Sequence, residues 1–494
     1  MEYCSTRDRA YHKSAAEVIL QGISSEGGLF IPRQIPALGD LLEQLRGADY
    51  RTVARAVMGL YLTDFTAAEV ADCVAAAYDD LSFPEGAAPM SALGEEMSVL
   101  ELWHGPTCAF KDMALQMLPV LMSASNKKVG DGKEIVILVA TSGDTGKAAL
   151  EGFKDVPGTQ IAVFYPEEGV SHMQKRQMMT QEGQNVQVFG IKGNFDDCQT
   201  GVKAIFTDPA VTQAFLDAGK RFSSANSINW GRLLPQVVYY VYAYLQQVEQ
   251  GRVQMGQPVN FVVPTGNFGN ILAAYLAGEM GLPVGKLICA SNQNCVLTEF
   301  LQTGRYDRNR PFYTTISPSM DILISSNLER LIYLLSGGDD ALVRRLYGQL
   351  AKDGTFTVDG ALLERLRAQF AAGCATDDET ADTIRAVFER YGYLCDTHTA
   401  VAVKVYRDYC RDTGDTTPTV VVSTASPYKF AGSVLAALGE RCPDDDFAVL
   451  DALQAVSGVP VPAPLAALQG KKDRFTTVCA PADMLAAVRA ALGV

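Results

Sequence analysis

The stretch that decides the fold reads Val259-Asn260-Phe261-Val262-Val263-Pro264-Thr265-Gly266-Asn267-Phe268-Gly269-Asn270. Its first five residues predict a buried strand, and the apolar run 271–277 predicts a helix. Between them, two glycines free the backbone to turn its N–H groups inward, and the following helix N-terminus adds positive potential. Such a loop suits a phosphate. A plain tight turn explains the same glycines, so the loop alone leaves both interpretations open.

The same strand, loop and helix pattern recurs through the middle of the chain. Short β-branched runs lie at 134–140, 161–165, 186–191, 259–263, 286–290 and 419–423, separated by helical stretches. This alternation predicts α/β layers with parallel sheets and right-handed crossovers. Ligands in such sheets gather at the carboxyl ends of strands, so a site is expected in the loops there.

The 494 residues are too many for one ordinary core, so two to four domains are expected. We predict a mainly helical N-terminal domain over 1–93, with helices at 15–22, 49–61 and 67–78. A large α/β domain is predicted over 94–133 and 251–494, helix-rich between 335 and 393. A smaller α/β domain, 134–250, is inserted in it.

Composition narrows the classes of function. A net charge of −14 argues against nucleic acid and membrane surfaces as partners. There is no signal-peptide layout and no long apolar span, so a cytoplasmic location is expected. The 11 cysteines are scattered without a metal-binding spacing, which predicts reduced, buried thiols. Four well-separated histidines argue against a multi-histidine zinc site, and no metal is predicted.

Lys111 stands in the run His104-Gly105-Pro106-Thr107-Cys108-Ala109-Phe110-Lys111-Asp112, ahead of a helical stretch. Phe110 and the small residues before it can partly desolvate the amine, which lowers the pKa of a lysine and makes it a usable nucleophile. A surface lysine at a helix start is the plain alternative, and the residues alone do not exclude it.

Two further loops are dense in groups that bind anions. The first, 141–146, contains Ser142, Asp144 and Thr145 before a helix; simple N-capping accounts for it equally well. The second, 223–232, precedes a long apolar helix and holds Asn226, Ser227, Asn229 and Arg232, whose guanidinium could fork onto a phosphate or carboxylate.

Taken together, these segments resemble the threonine synthases, in the longer form found in many bacteria and fungi. The matching motifs fall in the same order over about four hundred residues, far more than chance allows. They lie at 27–32, 104–112, 140–146, 226–229, 263–269, 317–321 and 423–430.

The resemblance implies a tryptophan synthase β-like fold, in which a pyridoxal 5'-phosphate (PLP) cleft lies between two α/β domains. It implies that Lys111 forms the Schiff base with PLP. The loop that holds the PLP phosphate would be Gly266, Asn267, Phe268, Gly269 and Asn270. It further places the hydroxyl of Thr424 against the pyridine nitrogen and Asp144 beside the ring hydroxyl, where related enzymes often carry Asn.

The reaction implied is the conversion of O-phospho-L-homoserine and water to L-threonine and phosphate. In this reaction PLP is the electron sink. Lys111 would remove the α proton and then a β proton. The γ phosphate would then leave, and water would add at Cβ. The substrate ligands are expected among Ser142, Thr145, Asn226, Ser227, Asn229 and Arg232. A monomer or homodimer is expected.

Two positions depart from the family pattern. Lys147 stands where a small residue is usual, and Ser426 stands where a histidine often precedes the proline, so that histidine's role does not carry over. The nearest alternative is another PLP lyase of this group, a serine or threonine dehydratase or a phospholyase that gives a keto acid. A nicotinamide-binding protein fits poorly, because the glycine spacing in 141–146 is wrong. A homologue without PLP conflicts with the presence of Lys111 and the glycine loop.

Overall fold

The computed structural model describes residues 1–95, 97–141, 143–167, 170 and 172–494. Two parallel sheets flanked by helices follow a small N-terminal region, which confirms the predicted α/β class with two parallel sheets. No described helix has both the length and the apolar character needed to cross a membrane. Within the same residues, no cluster of three or more histidine, cysteine or acidic side chains could hold a metal ion.

The N-terminal region consists of β1 Tyr3–Ser5, β2 Asp8–Lys13, α1 Ala15–Gln21, β3 Phe30–Pro32, α2 Leu41–Gln44, α3 Tyr50–Tyr61 and α4 Ala67–Ala77. Capping boxes fix the starts of two helices: Ser14 with Glu17 begins α1, and Thr66 with Glu69 begins α4. The three predicted helices are therefore present. The antiparallel sheet β2-β1-β3 was not predicted. β1 and β3 have only three residues each, and β2 is largely polar and exposed, so none of them has the apolar run of a buried strand.

The next elements lead into the smaller sheet. They are β4 Met90–Leu93, β5 Met97–Glu101, α5 Lys111–Leu115, α6 Met117–Val129, β6 Glu134–Ala140, α7 Asp144–Phe153, β7 Thr159–Pro166, α8 His172–Met179, β8 Val186–Ile191, α9 Phe195–Thr207, α10 Pro209–Asp217, β9 Lys220–Ser223 and α11 Trp230–Glu249. The smaller sheet has the order β16-β8-β7-β6-β9, where β16 is the distant segment Val478–Cys479, and all its strands are parallel.

The larger sheet is completed by the rest of the chain. Its elements are β10 Val259–Pro264, α12 Gly269–Glu279, β11 Val284–Ser291, α13 Val296–Thr303, β12 Arg305–Asp307, α14 Leu328–Leu335, α15 Asp340–Asp353, β13 Thr355–Thr357, α16 Gly360–Gln369, β14 Phe370–Cys374, α17 Asp377–Tyr391, α18 Thr397–Thr413, β15 Thr419–Ser423, α19 Ala431–Ala437, α20 Asp446–Ser457, α21 Ala463–Ala466, β16 Val478–Cys479 and α22 Met484–Leu492, with 3₁₀ turns at Pro318–Met320, Pro427–Phe430 and Pro481–Asp483.

The larger sheet has the order β14-β11-β10-β15-β5-β4, with β4 antiparallel and the other strands parallel. β10 is buried along its whole length, as predicted. Because the carboxyl ends of β10, β15 and β5 lie at one edge, the loops that follow these strands meet there. The glycine loop, Thr424 and the run that contains Lys111 therefore lie close together.

Two strands lie outside the predicted domain boundaries. β4, assigned to the N-terminal domain, pairs with β5 in the larger sheet. β16, assigned to the large domain, is the edge strand of the smaller sheet, where Val478 pairs with Gly190. β14 falls inside a segment predicted only as helix-rich. A two-residue edge strand has no periodicity of its own, so pairing with a neighbour is what defines it.

The buried helix α11 connects these parts. Trp230 at its start packs against the rings of Tyr3 and Tyr61, with centroids 5.5 and 5.4 Å apart. One continuous apolar core includes this cluster and residues of both sheets, such as Val139 and Val263. The start of α11, which carries Arg232, is therefore held rigidly by its surroundings.

The prediction that the cysteines are all thiols is wrong for two of them. Cys295 and Cys374 form a disulfide, with Cα atoms 6.0 Å apart. Cys295 follows β11, and Cys374 is the last residue of the neighbouring strand β14, where it pairs with Ser291 of β11. Their 79-residue separation hid this adjacency, because only the sheet pairing brings the two residues within disulfide range.

Candidate active site

Lys111 begins α5 and its backbone is positioned by a tight turn. Asp112, fully buried, accepts hydrogen bonds from the backbone N–H (2.8 Å) and the hydroxyl (2.6 Å) of Thr107. Burial raises the pKa of Asp112 to about 6. A Cβ on Gly105 would lie 2.6 Å from Asp112, so only glycine permits this closure. Gly105 and Thr107, together with Asp112, thus fix where the helix of Lys111 starts.

The amine of Lys111 is buried among three groups. Its Nζ lies 3.3 Å from Oγ of Ser319 and 3.6 Å from Oδ2 of Asp144, and 5.4 Å from the ring centre of Phe110. Burial is the main cause that lowers the pKa of Lys111; Arg232 and Lys429 lower it further, whereas Asp144 opposes them. This environment favours the neutral amine, which is the nucleophilic form.

Ser319 was not predicted to have a role. It is held by His398, whose Nε2 accepts the Ser319 backbone N–H at 3.1 Å and whose Nδ1 lies 2.7 Å from Oδ2 of Asp396. This geometry assigns the imidazole proton to Nδ1, facing the carboxylate. His398 therefore acts as a support for the Ser319 loop. Only the match at 317–321 pointed to this loop, and nothing in the spacing pointed to His398.

The glycine loop has the properties of a phosphate cradle. Phe268 adopts the left-handed conformation (φ 62°) just before α12. In the described part of the chain, no hydrogen bond is found from the backbone N–H groups of residues 266–269. The Oδ1 of Asn270 accepts from Tyr240 at 2.7 Å, while its buried Nδ2 has no partner among these residues. Free donors at a helix N-terminus are what the PLP phosphate requires.

The glycine loop also lies against the lysine's neighbours. A Cβ on Gly266 would lie 2.7 Å from the carbonyl oxygen of Ser319, so a side chain there would displace the Ser319 loop. Asn267 is fixed through its carbonyl oxygen, which accepts the backbone N–H of Asn327 at 3.0 Å. The loop is thus part of the same structure as Lys111.

Thr424 lies at the carboxyl end of β15 and is buried. Its carbonyl oxygen accepts the backbone N–H of Phe110 at 2.8 Å, and Ala425 forms a bridge with Ala109. These contacts place Thr424 beside the Lys111 run. No hydrogen bond to its hydroxyl is found in the described residues, so that group can bind a ligand.

The loop after β6 contributes Asp144 and Thr145 at the start of α7. The hydroxyl of Thr141 accepts the N–H groups of Gly143 (3.1 Å) and Gly146 (3.0 Å), which shapes the loop. Asp144 is buried, whereas Thr145 is half-buried at the first turn of the helix. Ser142, also predicted as a substrate ligand, lies outside the described residues.

Arg232 is buried in the first turn of α11, and no carboxylate pairs with it among the described residues. Its Nη1 donates to the carbonyl oxygen of Ala225 at 3.0 Å. Burial lowers the pKa of Arg232 to about 10, still well above neutrality, so the guanidinium is charged. A buried cation without a counter-ion is suited to an anionic ligand.

The polar residues before Arg232 differ in what they can bind. Asn226 is exposed and Ser227 half-buried, 3.4 Å from the hydroxyl of Ser326. Asn229 is fully buried; its amide donates to Ile19 and Ser224 and accepts from Gly231 as the N-cap of α11. This geometry argues against Asn229 as a substrate ligand, because its hydrogen-bonding groups are already used.

Lys429, which was also not singled out, lies in the 3₁₀ turn after β15 and is buried. Its Nζ is 2.9 Å from Oδ1 of Asp144 and donates to the carbonyl oxygen of Thr107 (2.9 Å) and to Gln177 (3.2 Å). Although burial alone raises it, Lys429 and then Lys111 hold the pKa of Asp144 well below its usual range. Asp144 is therefore a carboxylate shared by two lysines.

Comparison with known families agrees with this geometry. Residues 2–78 match the model for the threonine synthase N terminus, 86–425 the model for pyridoxal-phosphate-dependent enzymes, and 399–491 the model for the threonine synthase C-terminal region. The chain belongs to the threonine synthase family. Its cofactor is accordingly PLP, as predicted.

Individual threonine synthases resemble the chain over nearly all its length. The enzyme from Pseudomonas aeruginosa is 40% identical, covering 88% of this chain and 90% of its own. The PLP-bound structure from Brucella melitensis is 40% identical with a TM-score of 0.88, covering 99% of both chains. The yeast structure is 34% identical, also with a TM-score of 0.88, covering 100% and 98%.

A second group of relatives is longer. Human threonine synthase-like 1 is 42% identical over 86% of this chain, and the match spans only 58% of that protein's length. Similarity to this group supports the family and not a particular reaction.

The two departures from the threonine synthase pattern have structural explanations. Lys147 pairs with Glu151 at 2.8 Å and also contacts Gln181, so its amine is turned to these partners. Ser426 is buried; its N–H donates to the carbonyl oxygen of Cys108 (3.0 Å), and its hydroxyl caps the 3₁₀ turn that carries Lys429. His104, finally, is bound to Glu101 and Glu85 at 2.7 and 2.9 Å, which indicates a structural role.

Proposed function

We propose that this protein is a threonine synthase that converts O-phospho-L-homoserine and water to L-threonine and phosphate. The observation that carries the proposal is the environment of Arg232. A buried, charged guanidinium without a carboxylate partner among the described residues acts electrostatically on the Lys111 amine. A substrate that carries its phosphate several bonds from its amine needs a cation near Lys111, which binds the phosphate while the amine lies at the lysine.

The residues around Arg232 complete an anion site. β6 and β9 are parallel neighbours, with Ile137 opposite Ser223, so the loops after them lie at one edge of the smaller sheet. The start of α7 with Thr145, and the loop before α11 with Asn226 and Ser227, therefore add hydroxyl, amide and N–H donors. Two helix N-termini and one guanidinium therefore give a locally positive site in a chain whose net charge is −14.

Lys111 is the proposed base. PLP, when bound there, supplies the electron sink that makes the protons next to the amino-bearing carbon acidic. The amine of Lys111 then takes the proton from Cα and, once it has passed that proton on, takes one from Cβ, while Arg232 holds the phosphate that leaves from Cγ. A proton is returned to Cγ, which becomes the methyl group; water then adds at Cβ, and Cα regains its proton. The depressed pKa of Lys111 suits an amine that must accept a proton near neutral pH.

The test is incubation of the PLP-loaded protein with O-phospho-L-homoserine, with phosphate and threonine measured in the same samples. We expect the two products in equal amounts, and none with a Lys111→Ala variant. Phosphate accompanied by ammonia and a keto acid would contradict the proposal and identify a phospholyase. Release of ammonia from serine or threonine in place of this reaction would identify a dehydratase.

A further inference from the structure

We propose that Lys429 is a positioning residue that binds the Asp144 carboxylate and so prevents it from holding the Lys111 amine in its protonated form. The proposal deepens the proposed function, since it concerns the readiness of the same lysine. It depends on the cofactor being bound at Lys111 and not on the identity of the substrate.

The geometry around Lys429 fits an ammonium group. One buried nitrogen has three acceptors within hydrogen-bond distance: Oδ1 of Asp144, the carbonyl oxygen of Thr107 and Oε1 of Gln177. An ammonium has three donors, so all of them are used. The charge is fixed in place by the backbone on one side and by α8 on the other.

Asp144 contacts its two lysines unequally. Oδ1 lies 2.9 Å from Lys429, with the amide of Gln174 3.1 Å away, whereas Oδ2 lies 3.6 Å from Lys111, beyond hydrogen-bond distance. The amine of Lys111 instead donates to Ser319. If Lys429 were absent, Lys111 would be the only cation among the described residues that is paired with the buried Asp144 carboxylate, and such a pair favours the charged amine.

Lys429 also connects the two sheets. It follows β15 of the larger sheet, while Asp144 and Gln177 belong to α7 and α8, which flank the smaller sheet. The contact therefore sets how closely the Asp144 loop approaches Lys111, in addition to its charge.

Other charges near this pair must be controlled in a test of pH dependence. Those that act on Lys111 are Asp144, Arg232 and Lys429, and those that Lys429 itself influences include Asp112, Cys108 and Lys147. Burial raises the pKa of Asp112 to about 6 and that of Cys108 to about 12. A titration from pH 7 to 9 in a buffer free of phosphate therefore keeps Asp112 ionised, the thiol protonated, and Arg232 charged and free of added anions.

The experiment is a spectrophotometric pH titration of the bound PLP in the wild type and in Lys429→Met, without substrate. Loss of a nearby positive charge and release of Asp144 towards Lys111 both favour the protonated linkage, so the midpoint should rise by about one pH unit. Lys429→Arg, which keeps the charge, should stay within about 0.3 units of the wild type. Lys147→Met, which removes a buried lysine that does not contact Asp144, should do the same.

The double variant Lys429→Met with Asp144→Asn separates charge from packing, since it removes both ions and should return the midpoint towards the wild type. An unchanged midpoint in Lys429→Met, or an equal rise in Lys147→Met, would overturn the proposal. If Lys429→Met does not retain PLP, the neutral but polar Lys429→Gln decides: a higher midpoint supports the proposal and an unchanged one refutes it. A failure to make threonine would leave these spectra unaffected and so concerns the proposed function only.

Discussion

The hydroxyl of Ser319 lies 3.3 Å from Nζ of Lys111, although 208 residues separate the two in the chain. The contact depends on a loop whose backbone is fixed by His398 and whose carbonyl oxygen lies against the glycine loop. Ser319 thus orients the amine while leaving it free of a tight ion pair.

Replacement of Ser319 by alanine should lower kcat by about 10- to 100-fold, because a hydrogen bond to a reacting, chargeable amine contributes about 1.5–3 kcal/mol. KM should change little, since Ser319 contacts the base and not the phosphate site. Steady-state kinetics with O-phospho-L-homoserine measure both values.

Ser317→Ala is the matched control, because this buried hydroxyl of the same loop contacts Asn292 at 3.1 Å and not Lys111. It should lower Tm but keep kcat within about threefold. Equal kinetic losses in both variants would show that loop order, and not the Ser319 hydroxyl, is what matters.

Arg232→Lys should raise KM for O-phospho-L-homoserine by about 10- to 100-fold, since a lysine keeps the charge but loses the two-pronged contact with a phosphate. The absorption spectrum of bound PLP should persist, and inhibition by inorganic phosphate should weaken in parallel.

Arg221→Ala provides the comparison, because Arg221 precedes the same loop but pairs at the surface with Asp131, 2.8 Å away. Exposed pairs contribute little, so this variant should behave as the wild type. An unaltered KM in Arg232→Lys would remove the observation on which the proposed function depends.

The sequence predicts those site residues that belong to one local motif, and it does not predict those that come from distant segments. Residues within one strand-loop-helix unit, such as the glycine loop, carry a local pattern. The family resemblance predicted roles for Lys111, Asp144 and Thr424, and these residues lie near one another in the structure. Ser319, His398 and Lys429 come from separate segments that only the sheet order brings to Lys111. Their local patterns are those of an ordinary loop, helix start and turn.

The same distinction applies to the fold. The strands predicted at 134–140, 186–191 and 419–423 agree with the structure to the residue, because each is a buried apolar run. β16 and the Cys295–Cys374 disulfide depend on contacts between segments that are far apart in the sequence. Asn229 is of a residue type that often binds ligands, but in the structure it is the buried N-cap of α11.

Gly105→Ala should destabilise the protein by about 1–3 kcal/mol, the usual cost of overpacking, because the added Cβ would lie 2.6 Å from Asp112. The displacement acts on the first turn of α5, so affinity for PLP should fall together with Tm. Thermal unfolding with and without PLP measures both effects.

Gly59→Ala makes the same change where there is room, at an exposed position in the last turn of α3 with nothing within 4 Å. It should raise stability by about 0.5–1 kcal/mol, as alanine favours helix over glycine. A neutral result for Gly105→Ala would mean that the turn before Lys111 tolerates a side chain and does not fix the helix start.

Thr424→Asp tests the group expected to face the PLP pyridine nitrogen. A neutral hydroxyl cannot hold that nitrogen protonated, whereas a carboxylate can, and a protonated ring would over-stabilise negative charge on the substrate's α-carbon. The variant should therefore form less threonine per turnover and gain transamination, seen as a keto acid and the aminated cofactor. Thr424→Ser keeps the hydroxyl and should preserve the product ratio. Because the backbone of Thr424 is fixed by Phe110, the exchange alters the charge facing the ring without moving Lys111. If Thr424→Asp produced threonine without a keto acid, the unprotonated state of the pyridine nitrogen would not be what suppresses transamination.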